Sequence, residues 1–315
     1  MPGIVRPSYH GSGGALFGRY LKTALLSIIT LGIYAFWGKS NIRAYLYGNT
    51  DLGGDRFAYH GLGGELFRGW IKAFGLILGV GIVAAMIGYA LSVMLAVLLF
   101  YGAIAFWFFP LALIGSRGYR LSRTSWRGIR LSFRGELDDC IGVFVPGVLL
   151  TVVTLGLYFP YFHANMRRFL VDHSSLGDRD FSFSGQGGEL FGPFVLAVIL
   201  TPLTLGIYWF WWMAFRDRYY WSHTRLGDVR FSSSVTGGSL FGLTLVNGLL
   251  LVLTLGIGFA WVKTRVLRYY CDHLAVDGLA LLDTIRQDAQ PADVMGEGMG
   301  DMLDVDLVGA DFFGL

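Results

Sequence analysis

The stretch TLGIYAFWGKSNIRAYLYGNT runs from Thr30 to Thr50, and its opening letters return as TLGLY at Thr154, TLGIY at Thr204 and TLGIG at Thr254. The last three copies set their glycine at Gly156, Gly206 and Gly256, 50 residues apart each time, so the chain reads first of all as a tandem repeat. Working outward from each copy, a glycine-rich entry precedes an apolar run: GGALF at Gly13, GGELF at Gly63, GGELF at Gly187 and GGSLF at Gly237. An aromatic cluster follows the TLG break, at Trp37, at Pro160 with Tyr161, at Trp209 to Trp212 and at Trp261. Next comes a cationic, tyrosine-rich stretch such as RDRYYWSHTRLGD, and then a short alternating segment such as RFAYHG, RLSFRG or DFSFSG. Alternation bounded by glycine is the period of a short strand.

The second unit lacks the TLG break. Aligned from its far end, Phe106 takes the place of the central glycine, Pro110 falls opposite Pro160, and Thr124 falls opposite Thr50, Ser174 and Thr224. The register then holds with 24 extra apolar residues in the front half. The units therefore read as residues 11–60, 61–134 (carrying the insertion and two full transmembrane helices), 135–185, 186–236 and 237–282. Residues 283–315 form an acidic tail with eight carboxylates against Arg286 alone, a balance of −7, leaving +10 on residues 1–282 of a chain whose net charge is +3. Such a tail reads as disordered, either solvated or folded back on a basic face.

Hydrophobic residues make up 54% of the chain and charged ones 15%, with a mean hydropathy of +0.54. Soluble domains have roughly 45–50% and about 25%. From Lys72 to Arg117 no charge intervenes across 44 residues, enough for two bilayer crossings joined by a turn. The fold class expected is a mainly α-helical membrane protein of five tandem helical hairpins, with short β-strands between them forming a small membrane-side sheet. Gly32, Gly156, Gly206 and Gly256 are then reversal points, because glycine takes positive φ without penalty. A single kinked crossing per unit is the competing geometry, since the uncharged run from Leu190 to Phe215 could span alone. Hairpins keep the basic connections on one face, as the positive-inside rule prefers.

The spaced motifs GGELF, LTLGIY, RYYWSHT and GDVRFS resemble those of the YjgN-like family of bacterial inner-membrane proteins, a family of unknown function, over nearly all of residues 11–275. The resemblance implies a multi-pass protein of the bacterial inner membrane and implies no mechanism.

For chemistry, His173, His223 and His273 recur at the 50-residue interval, with Arg168, Arg218 and Arg268 five residues before them. Converging around an axis they would bind an anionic lipid headgroup or a small anion. Asn49 and Arg123 stand at the histidine position of the first two units, and the blander role for the series is capping helix C-termini. No metal motif, phosphate loop or nucleophile triad is present, so no catalytic residue, metal or cofactor is expected. Cys140 and Cys271 read as small apolar residues. The aromatic residues beside arginines read as an interfacial belt, which argues against a nucleic-acid partner. Membrane lipids are the expected partners, and the expected function is non-enzymatic membrane organisation or lipid and anion binding. The alternatives are a small-solute transporter or channel, or a membrane-embedded enzyme.

Overall fold

A computed structural model describes residues 4–278 together with Ile285 and Gln287. The chain is mainly helical on a ten-stranded antiparallel sheet whose strands follow one another in sequence order. Strand β1 (Ser8–Tyr9) leads to α1 (Gly13–Ile29) and α2 (Ala35–Gly48), and the chain returns on β2 (Thr50–Leu52). β1 pairs with β2, so the helix pair leaves the sheet and comes back beside its point of departure. The TLG segment is therefore a reversal and not a kink.

The same succession recurs along the chain. β3 (Asp55–Tyr59) and β4 (Thr124–Trp126) flank the long pair, α3 (Gly63–Ala90) and then α4 (Val93–Ala103) running through a π-helical turn into α5 (Phe109–Ser122). β5 (Ile129–Phe133) and β6 (Ser174–Leu176) flank α6 (Leu137–Val153) and α7 (Phe159–Asp172). β7 (Arg179–Phe183) and β8 (Thr224–Leu226) flank α8 (Gly187–Leu203) and α9 (Trp209–Ser222). β9 (Val229–Ser233) and β10 (Leu274–Asp277) flank α10 (Gly237–Leu253) and α11 (Phe259–His273).

The sheet closes on itself. Val5 and Val276 exchange backbone hydrogen bonds of 2.9 and 2.8 Å, and this bridge joins the two ends. The helix layer closes too, because a Cβ on Gly13 of α1 would strike the Trp261 ring of α11. Gly63 meets Trp37, Gly187 meets Tyr161 and Gly237 meets Trp211 in the same way. The first glycine of each GG entry is thus set by close approach of the preceding hairpin's aromatic residue.

Strands β2 to β10 all feed one apolar cluster, including Leu52, Phe57, Trp126, Leu131, Leu176 and Phe181, and Ile285 is buried against it. Only the enclosed face of a closed sheet is shared by so many strands, so that face is packed. The predicted acidic tail lies outside the described residues apart from Ile285 and Gln287; the Gln287 side chain accepts a hydrogen bond from the Arg130 amide.

Four hairpins are short. Their leading helices have 17 residues, about 25 Å at 1.5 Å per residue. α3 has 28 residues and the continuous helix Val93–Ser122 has 30, and these two are the helices long and apolar enough to cross a membrane among the described residues. The π-helical turn, Ile104–Phe108, coincides with the place where the other units reverse. The 24 extra residues thus lengthen both arms of one hairpin and move its turn outward to Leu91 and Ser92.

Candidate functional site

Two ends of each hairpin carry the features of interest, the apolar tip and the polar foot beside the sheet. At the tips, Gly32, Gly156, Gly206 and Gly256 have φ of 91°, 92°, 85° and 86°. The leucine before each is also left-handed, with φ of 51°, 52°, 51° and 49° at Leu31, Leu155, Leu205 and Leu255. Left-handed geometry costs a non-glycine residue roughly 1–2 kcal/mol. The surrounding hydrogen bonds account for its persistence. Each glycine amide donates to the carbonyl five residues back, 2.7 Å for Gly156 to Thr151 and 2.8 Å for Gly206 to Thr201. The threonine hydroxyl donates back one turn, 2.8 Å from Thr204 to Leu200, and accepts from the amide four residues on, 3.1 Å from Tyr208. Thr30, Thr154 and Thr254 do the same. These local bonds satisfy most of the turn's backbone without water, yet the leucines are 92–94% exposed.

At the feet, the sequence-predicted residues act one hairpin at a time. The Nδ1 atoms of His173, His223 and His273 each lie 2.8 Å from the carbonyl four residues earlier, on Phe169, Tyr219 and Tyr269, and each imidazole packs on that aromatic ring. Asn49 donates from its side chain to Tyr45 in the same manner at 2.7 Å. Arg123 turns instead to Glu65 in the first turn of α3, with contacts of 2.8 and 3.1 Å. The arginines reach across to the next hairpin: Arg168 donates to the Gly185 carbonyl at 2.8 Å, Arg218 to Val235, and Arg268 to Gly11 at 3.4 Å across the ring closure. The six candidates are distributed around the ring as caps and ties. His173 and Arg168 line one cavity together, a cleft of about 420 Å³ in the third hairpin that also holds Asp172.

The corresponding cleft in the first hairpin is larger, about 600 Å³, and differently charged. It is lined by Arg19, Lys22 and Arg56 with Tyr34, Asn41 and Tyr45, and no acid lines it. The Arg19 guanidinium lies 4.1 Å over the Tyr45 ring, a cation–π contact. Tyr45 is itself fixed, its hydroxyl accepting from the Ser12 amide at 2.9 Å. Sequence reasoning missed this group because Arg19, Lys22 and Arg56 belong to no repeated motif. Their signal was the reverse, cations on an apolar arm where the third unit has Val143 and Pro146.

Near the ring closure, Asp51 accepts hydrogen bonds from Ser8 and, at 3.1 Å, from His10. Burial alone would raise its carboxyl, but these donors hold it below the ordinary range. Among the described residues no group of three or more His, Cys, Asp or Glu side chains gathers as metal ligands would.

The fold and its feet define a closed ring of helical hairpins on a β-sheet base. A family model described as bacterial protein of unknown function (DUF898) matches residues 5–202, 178–229 and 198–302, and the chain belongs to that family. Inner membrane protein YjgN of Escherichia coli O157:H7 is 31% identical over 167 residues, 50% of this chain and 39% of that protein. The protein of the same name from Escherichia coli strain K12 is 31% identical over 157 residues, covering 48% and 36%. That of Salmonella typhimurium strain LT2 is 42% identical over 66 residues, covering 21% and 17%. The chain thus spans less than half the length of the curated relatives it matches. No solved structure matches it.

Proposed function

We propose that the chain is a multi-pass, non-enzymatic protein of the bacterial inner membrane, a hairpin ring that binds anionic headgroups and orders the lipid around it. One observation carries this reading. Four reversal tips combine locally bonded backbone with leucines more than 90% exposed, an arrangement unfavourable in water and suited to hydrocarbon. Each such leucine gains about 1.5–3 kcal/mol on leaving water, more than its left-handed backbone costs. The relatives' name points to the same compartment. The long hairpin spans the bilayer, the short ones enter it without crossing a core of about 30 Å, and the sheet faces the cytoplasm. The packed inner face of the sheet argues against a solute path along the ring axis.

Single cysteines test this in a chain carrying Cys140→Ala and Cys271→Ala, both buried positions. An aqueous, membrane-impermeant thiol reagent is expected to reach position 92 from outside intact cells. Positions 58, 178 and 228, exposed beside the sheet, are expected to react only after the cells are opened. Positions 155 and 205 are expected to stay unreactive in both. Aqueous labelling at 155 and 205 would refute tips held in lipid.

A further inference from the structure

We infer that the cleft of the first hairpin is a built site for the phosphate group of an anionic phospholipid, with Arg19, Lys22 and Arg56 as its cationic donors; this deepens, and rests on, the membrane reading above.

The third hairpin has a cleft at the same position in its fold, and there the arm presents Val143 and Pro146, with Arg168 balanced by Asp172. In the first hairpin three cations line the cavity and no carboxylate does. Among the described residues, Arg19, Lys22 and Arg56 make no salt bridge with an acid of the chain. Asp51 stands opposite Arg56 across the β2–β3 ladder but is taken up by Ser8 and His10. Three like charges around one cavity repel one another, and an anion with several acceptor oxygens relieves that repulsion.

The geometry favours phosphate over a simple counter-ion. Arg19 is held by its own helix, donating to the Ala15 carbonyl at 3.3 Å, and sits with its guanidinium carbon 4.1 Å from the centre of the Tyr45 ring. A guanidinium held over a ring still has N–H groups free for a planar pair of acceptor oxygens. Lys22, three residues on along α1, contributes a second charge, and Arg56 on β3 contributes the third from the sheet side. Asn41 adds an amide to the lining. The donors therefore come from the arm, the returning helix and the sheet.

Depth supplies the lipid. Lys22 stands nine residues into α1, about 14 Å from the helix start, so the cleft lies where a bilayer's headgroup layer meets its hydrocarbon. Apolar arms on either side suit acyl chains. A lipid phosphodiester and free inorganic phosphate present the same oxygens, and the experiment separates them.

The full chain, purified in a nonionic detergent, is incubated with phosphatidylglycerol or phosphatidylcholine, and retained lipid is counted by native mass spectrometry. The wild type is expected to keep phosphatidylglycerol selectively. R19Q/K22Q/R56Q is expected to lose at least about tenfold in retention, the equivalent of one charge-assisted contact or more. R225Q, at an exposed position on β8 outside both clefts, is expected to retain as the wild type does. Millimolar inorganic phosphate that displaces the lipid in the wild type alone would make the free anion the ligand of the same site. Equal retention by the triple variant, or no phosphatidylglycerol selectivity in the wild type, overturns the site. Should the triple variant misfold, R56Q alone, altered on an exposed strand position, carries the test with an expected loss of about threefold, one modest contact. Whether the wild type stays in carbonate-washed membranes is read separately, so failure to insert refutes the membrane reading without being mistaken for failure of the site.

Discussion

At the residue scale the molecule turns on a threonine and a leucine. Thr204 both donates to Leu200 and accepts from Tyr208, so valine of the same shape leaves the Tyr208 amide without that acceptor. Thr204→Val is expected to lower stability by about 1–3 kcal/mol, and Thr204→Ser to restore most of it, read by thermal unfolding in detergent. Asp51 gives a second test. Its folded carboxyl lies below the ordinary value, so its contribution is present above the unfolded pKa and lost as pH falls through the folded one. Asp51→Asn is therefore expected to be less stable than the wild type at neutral pH, by less than about 1 kcal/mol because its His10 partner is half exposed, and to match it only once pH falls below the folded pKa. A gap that persisted in acid would assign the effect to packing. The glycine of TLG was legible in sequence because positive φ is a property of the residue itself. The left-handed leucine before it was not, because a branched side chain there is disfavoured unless neighbouring bonds and surroundings impose it. The histidine series was legible as a register and illegible as a role: spacing fixes equivalent positions, but not whether a ring turns to a neighbour or to its own helix.

At the element scale the second hairpin departs from the rest, and packing near its turn explains how two long apolar arms stay together. A Cβ on Gly88 of α3 would lie 3.1 Å from the Ala96 side chain of α4, a contact of small residues that lets the backbones approach. Gly88→Leu is expected to separate the arms and cost about 1–3 kcal/mol, while Gly88→Ala is nearly tolerated. A cysteine pair across the turn, cross-linked readily in the parent and poorly in Gly88→Leu, is the measurement. Equal cross-linking would mean that the arms meet elsewhere. The insertion was readable because an uncharged run of that length has few alternatives in a bilayer protein. The π-helical turn at Ile104–Phe108 had no such signal. The first strand lies ahead of the first unit, which starts at residue 11, yet its sequence announces it: Arg6-Pro-Ser-Tyr9-His10-Gly11 parallels Arg56-Phe-Ala-Tyr59-His60-Gly61, and both segments form strands beside a GG entry.

At the scale of the whole molecule, that first strand decides whether the protein is an arc or a ring. Without it, β2 and β10 would be open edges with unpaired backbone groups, a liability in any sheet. With it, the N-terminal segment joins the last hairpin to the first through the Val5–Val276 bridge, the Arg268–Gly11 bond and the Trp261–Gly13 contact. Closure by the two ends of one chain makes a specific prediction. Removing residues 1–9 deletes the bridge and buried Tyr9, and is expected to lower the unfolding temperature by about 5–10 °C, from a loss of about 3–5 kcal/mol for a large core aromatic. A circular permutant keeps every one of those contacts. Cut at the exposed turn between Gly227 and Asp228, with Leu315 joined to Met1, it moves the break to the β8–β9 turn and leaves the ring intact. It is expected to unfold within a few degrees of the parent in the same detergent. A truncated chain as stable as the parent would mean that the ends merely abut. A permutant that fails to fold would mean that closure follows assembly of the five hairpins in the parent's order.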